Sequence, residues 1–84
     1  MISGRVQGVG FRWFVRVVAR QLELKGWVRN REDGAVEVAA SGTQEKLDEL
    51  RRQVRKGPAA ADVSDVQDLE PVESDLDFPF AMRR

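Results

Sequence analysis

Gly4-Arg5-Val6-Gln7-Gly8-Val9-Gly10-Phe11-Arg12 is the stretch from which the rest of the chain is read. Its three glycines let the backbone turn sharply and bring N–H groups close to a ligand. An apolar-periodic run starts directly after it, so the loop feeds straight into a helix. Loop amides plus a helix N-terminus make a concave, positively polarised site that favours an anion. Arg12 adds a permanent charge with a forked donor geometry suited to phosphate. The functional reading is a phosphate cradle; the plain alternative is a tight connection. Neither common nucleotide fingerprint is present, because Trp13 stands where a Gly-x-Gly-x-x-Gly needs its last glycine and no Gly-Lys-Ser/Thr follows.

Upstream, Met1-Ile2-Ser3 reads as the stub of a strand whose register continues into Arg5 and Val6. Downstream, Phe11 to about Leu22 is helix-periodic: Phe11, Phe14, Val15, Val18 and Leu22 share one face. Arg12, Arg16 and Arg20 lie on another face, read as solvated, and Trp13 is expected to pack at the helix edge. Gly26 introduces a strand over Trp27-Val28-Arg29-Asn30. Arg31-Glu32-Asp33-Gly34 is a turn, with Asp33-Gly34 supplying positive φ, and Ala35 to Ala40 returns as the partner strand. Thr43 caps a second helix running to about Lys56, with acids early, bases late and a buried stripe of Leu47, Leu50 and Val54. Gly57-Pro58 ends it. Val63, Val66 and Leu69 mark an extended segment; Asp62, Asp65 and Asp68 within it read as a hydrated strand edge, since they lack the spacing of a calcium loop. After an acidic loop, Phe78 to Met82 forms a last short strand.

The order β-α-β-β-α-β reads as an α+β, ferredoxin-like sandwich, with two helices packed on one face of an antiparallel sheet. Eighty-four residues make one small domain, 1–84, expected to bury only about 60–65% of its unfolded surface. Fourteen basic residues balance fourteen acidic ones, which argues against a general nucleic-acid or membrane-surface binder. With neither cysteine nor histidine, the chain has no thiolate metal site, no thiol nucleophile and no imidazole base. No apolar run reaches the ~20 residues of a membrane span and no signal peptide is visible, so the expected setting is the cytoplasm, as a monomer.

A second block, Gly26-Trp27-Val28-Arg29-Asn30 followed by Asp33-Gly34, completes a pattern with the glycine loop. Together with Phe80-Ala81-Met82-Arg83-Arg84 at the end, the two blocks resemble acylphosphatase over nearly the whole chain. The resemblance implies an enzyme that hydrolyses acyl phosphates to a carboxylate and inorganic phosphate, without a metal or other cofactor. It implies that the amides of Gln7, Gly8, Val9, Gly10, Phe11 and Arg12 hold the phosphoryl oxygens. It further implies that the Arg12 side chain binds the same group and that Asn30 positions the attacking water. Such chemistry suits the residues available. A carboxylate leaves readily, and phosphoryl transfer asks the protein mainly for positioning and charge stabilisation. A neutral carboxamide can orient water by donating and accepting.

Two departures from the family pattern carry expectations. Relatives usually have a fuller first strand, so this one reads as truncated, and a chain extended upstream is expected to melt higher. Many relatives have glycine where Glu23 stands, so Glu23 is expected in left-handed geometry at a cost of about 1 kcal/mol. Two rival readings use the same fold. One is a non-catalytic phosphate or small-ligand binding module, such as a domain of a larger maturation factor. The other is an RNA-binding domain, disfavoured because Gly10-Phe11-Arg12-Trp13-Phe14-Val15 is helix-periodic and RNA-stacking aromatics belong on a strand.

Overall fold

The computed structural model describes residues 1–8, 10–59, 61–66 and 76–83. In chain order the elements are β1 (Ile2–Arg5), α1 (Phe11–Gln21), β2 (Lys25–Asn30), β3 (Val36–Ser41), α2 (Gln44–Lys56), β4 (Asp62–Val66) and β5 (Ala81–Met82). They build one sheet in the order β4-β1-β3-β2-β5. The strand stub expected at the N-terminus is therefore a central strand, antiparallel to β4 and, through Ile2 opposite Val36, to β3. The sheet is mixed rather than wholly antiparallel: β5 runs parallel to β2, with Trp27 opposite Ala81 and Val28 opposite Met82.

Both helices pack on this sheet through one core. α1 contributes Phe11, Val15 and Val18, spaced to fall on one face, and α2 contributes Leu50 and Val54. Ile2, Val28 and Val36 meet them from the strands, and Phe80, fully buried just ahead of β5, closes the edge. Phe14 and Leu22, expected on the apolar face of α1, Leu47, expected in the buried stripe of α2, and Val63 and Val66 of the extended segment are only partly buried and pack against this cluster. Leu69 and Asp68 lie outside the described residues; Asp62 and Asp65 are exposed on the edge strand β4.

Local chemistry sets the boundaries. The Thr43 hydroxyl accepts from the Lys46 N–H at 3.3 Å, Glu45 occupies the first turn of α2, and Gly57 ends it with φ 67°. α1 ends differently. The Leu24 N–H donates to the Ala19 carbonyl and the Glu23 N–H to that of Arg20, the paired bonds of a Schellman turn. Such a turn needs a left-handed residue just past the helix, and Glu23 supplies it at φ 56°. The strained glutamate expected from the sequence is thus present.

The β2–β3 hairpin pairs Gly26 with Ala40 and Asn30 with Val36. Gly26 cannot carry a side chain: a Cβ there would lie 1.8 Å from the Ala39 carbonyl oxygen. The turn is looser than a two-residue connection. Only Gly34 has positive φ, while the Asp33 carboxylate accepts from the Ala35 N–H at 3.0 Å.

Candidate active site

The glycine loop spans the gap between β1 and α1, pinned at its ends by Val6 and Phe11, each only 1% exposed. Between them Gly8 and Gly10 are exposed. Gly8 and Gly10 both adopt φ 76°, where an L side chain is strained, and their α-hydrogens face open space. Val9 lies outside the described residues. Gly10 is also the N-cap of α1, so no side chain caps that helix and no acid sits in its first turn. The contrast with α2, capped by Thr43 and carrying Glu45, is chemical. At α2 the protein satisfies its own helix terminus; at α1 neither a capping side chain nor a first-turn acid does so.

Beside the loop is a cleft of about 250 Å³. Gly8, Gly10, Arg12 and Asn30 are among the residues that line it. Arg12 comes from the first turn of α1 and Asn30 from the last residue of β2. Two residues from separate sequence blocks thus meet at one opening.

Asn30 is half-buried, and its side-chain oxygen is shut away from solvent without a hydrogen-bond partner among the described residues. Burying an unmatched acceptor costs about 1–3 kcal/mol, so such an atom marks a place where a donor is expected. Arg12 is half-buried as well, and its Nη1 donates to the Arg83 carbonyl at 2.8 Å. That carbonyl is itself well fixed. The Arg83 N–H donates to Val28, its guanidinium pairs with Asp77 at 3.1 Å, and it lies 5.1 Å from the centre of the Trp27 ring. Arg12 is therefore braced from the C-terminal side, which limits the rotamer freedom an arginine would otherwise lose on gripping a ligand.

Gln7 is placed differently from the other loop residues. Its side-chain amide points away from the cleft and donates to the carbonyls of Arg31, at 2.7 Å, and Ala35, at 3.0 Å. Only its backbone N–H is left for a role in the cradle. The arginine row also departs from the sequence reading, because it faces the C-terminal segment as well as solvent. Arg20 Nε donates to the Phe80 carbonyl at 2.8 Å, and Arg16 Nε is buried without a hydrogen-bond partner among the described residues. Trp13 does not pack at the helix edge; it is 56% exposed and lines the cleft with Met82. The reading from sequence missed Trp13, Met82 and the Arg83 carbonyl. The available signal was the position of Trp13 directly after Arg12.

The acylphosphatase family model matches residues 1–80. The chain is 58% identical over 67 residues to an acylphosphatase of Koribacter versatilis, a match covering 80% of this chain and 61% of that protein. It is 47% identical over 75 residues to an acylphosphatase of Bacillus licheniformis, covering 89% of this chain and 83% of the relative. Among solved structures, the Bacillus subtilis acylphosphatase superposes with a TM-score of 0.80 at 36% identity, over 99% of this chain and 92% of that one. The fold, the two sequence blocks and the matched length agree: this chain belongs to the acylphosphatase family.

Proposed function

We propose that the cleft binds the phosphoryl group of an acyl phosphate and hydrolyses it to a carboxylate and inorganic phosphate. The reaction class follows from family membership; the residue roles are those the resemblance implies, set here on the geometry of the cleft. The phosphoryl oxygens are held by the loop amides from Gln7 through Arg12 and by the Arg12 guanidinium. Asn30 holds the attacking water. An in-line displacement spreads charge over the equatorial oxygens, where preorganised N–H groups and a guanidinium stabilise it best. The carboxamide of Asn30 cannot serve as a strong base, so the water's proton passes to a phosphate oxygen of the substrate. The acyl carboxylate departs without needing an acid.

One observation supports this reading above the others: Arg12 and Asn30, carried by different elements, line the same cleft as two positive-φ glycines. Phosphate release from benzoyl phosphate, followed in the parent and in Arg12→Ala and Asn30→Ala, tests it. Binding of phosphate without turnover of any acyl phosphate would identify a binding module instead. Among the described residues no helix is long and apolar enough to cross a membrane. A cytoplasmic monomer acting on a small molecule is part of this proposal, and the balanced charge is its support against nucleic-acid or membrane-surface partners.

A further inference from the structure

Among the described residues, the exposed large apolar side chains are Trp13 at 56%, Phe78 at 62% and Met82 at 41%. Two of these three border the cleft that holds Arg12 and Asn30. Trp13 has no packing reason to be an indole. The core of α1 is supplied by Phe11, Val15, Val18 and Ala19, and Trp13 lies off that stripe. Met82 is likewise not part of the core: Phe80, two residues before it, is fully buried there while Met82 is exposed. Large apolar groups left in water are informative when they cluster at a site, where they mark what the site is built to touch.

We propose that Trp13 and Met82 form the seat for the acyl part of the substrate, so that the enzyme favours aryl and bulky apolar acyl phosphates over acetyl phosphate. The inference rests on the reading that the phosphoryl group occupies the Gly8–Arg12 end of the same cleft. The remaining lining then divides by chemistry. Val6 and Phe11 are buried to 1% exposure and form a floor, leaving Trp13 and Met82 as the accessible apolar walls. An indole offers a flat face on which an aromatic acyl group stacks. A thioether on an unbranched stem adapts to acyl groups of different shape and makes favourable contacts with rings. Arg12 and Trp13 line the same cleft, so a substrate gripped through its phosphate has the indole within the same opening.

The test compares kcat/KM for benzoyl phosphate and acetyl phosphate in the parent, Trp13→Ala, Trp13→Phe and Met82→Ala, with Arg12→Ala as reference. Using the ratio of the two substrates cancels their different intrinsic reactivities. Trp13→Ala is expected to lower the benzoyl-to-acetyl ratio about tenfold, Met82→Ala to lower it by a smaller factor, and Trp13→Phe to restore most of it. Competitive inhibition by inorganic phosphate, which has no acyl group, is expected to stay within about twofold in Trp13→Ala. Buried Trp27 reports on the fold of each Trp13 variant through its emission. An unchanged ratio in Trp13→Ala, or an equal loss on both substrates, would overturn the proposal. If Arg12→Ala is inactive while the ratio is unmoved, only the acyl seat fails. If Arg12→Ala keeps normal turnover, the phosphate site itself has been misplaced.

Discussion

Gln7 and Arg31 are joined by a 2.7 Å hydrogen bond from the glutamine side-chain amide to the arginine carbonyl, and the same nitrogen reaches the Ala35 carbonyl at 3.0 Å. The bond fastens the phosphate loop to the hairpin turn that begins one residue after Asn30. It is the link that holds the two halves of the site at a fixed separation. An amide placed this way acts through the loop it positions.

Replacing Gln7 by Ala removes two partly buried hydrogen bonds while leaving both carbonyls other donors, since the Arg31 N–H reaches Ala35 and the Gly34 N–H reaches Arg31. The expected loss is about 1–2 kcal/mol of stability, with a fall in kcat/KM from the loosened loop. Gln7→Glu should be worse, because a carboxylate cannot donate and would face two carbonyl oxygens. Urea unfolding measures both; an unchanged midpoint in Gln7→Glu would show that the link is not structural.

Arg12→Ala is expected to reduce turnover of benzoyl phosphate by roughly 10³-fold or more, the scale on which arginines stabilise a phosphoryl transition state. Lysine should not restore it, because a single ammonium cannot keep the Arg83 carbonyl and a phosphate in the same fork. Asn30→Ala is expected to cost at least ~10²-fold in kcat with a milder loss of phosphate affinity. Steady-state kinetics with phosphate as competitive inhibitor separates the two effects. If Asn30→Ala weakened phosphate binding as much as turnover, its role would be holding substrate rather than water.

Glu23→Gly is expected to stabilise the protein. Glu23 occupies φ 56° in the Schellman turn, a conformation that costs a residue with a Cβ about 1 kcal/mol more than glycine. For a domain of this size, 1 kcal/mol raises Tm by roughly 4–8 °C. Glycine's larger freedom in the unfolded chain offsets part of this gain. Differential scanning calorimetry gives the answer, and a lower Tm for Glu23→Gly would mean that the glutamate side chain makes a compensating contribution.

Elements whose formation depends on near neighbours were legible in the sequence. The face of α1 built on Phe11, Val15 and Val18, the Thr43 cap and the hairpin around Gly34 are all local statements about periodicity, side-chain donors and turn geometry. Asn30 and Arg12 were named through the paired blocks that resemble the family; composition alone leaves the loop a weak signal. The unread parts all involve the C-terminal segment or a long-range bond. β5 joins β2 in parallel because Phe80 anchors it in the core, which turns the Arg16 and Arg20 face of α1 toward that segment. The side-chain bond from Gln7 to the Arg31 carbonyl was not legible, because nothing near Gln7 in sequence reveals it. Trp13 looked like helix-edge packing because periodicity places a residue on a flank without saying what lies beside the flank.

Asp33 links the hairpin turn to pH. The Ala35 N–H donates to its carboxylate, and Arg31 adds a favourable charge, so its carboxyl is held below the ordinary value of 3.8. A group whose folded value is depressed contributes stability above its unfolded value, and that contribution fades as pH falls through the folded value. The window therefore lies below about pH 4. Asp33→Asn keeps an acceptor for the Ala35 N–H but cannot titrate, so the parent should lose more of its urea midpoint between pH 5 and pH 2.5 than the variant does. Because Asp33 is exposed, salt should narrow the Arg31 part of the difference and leave the backbone hydrogen bond intact. Parallel pH profiles for the two proteins would show that the carboxylate gains nothing from the turn it closes.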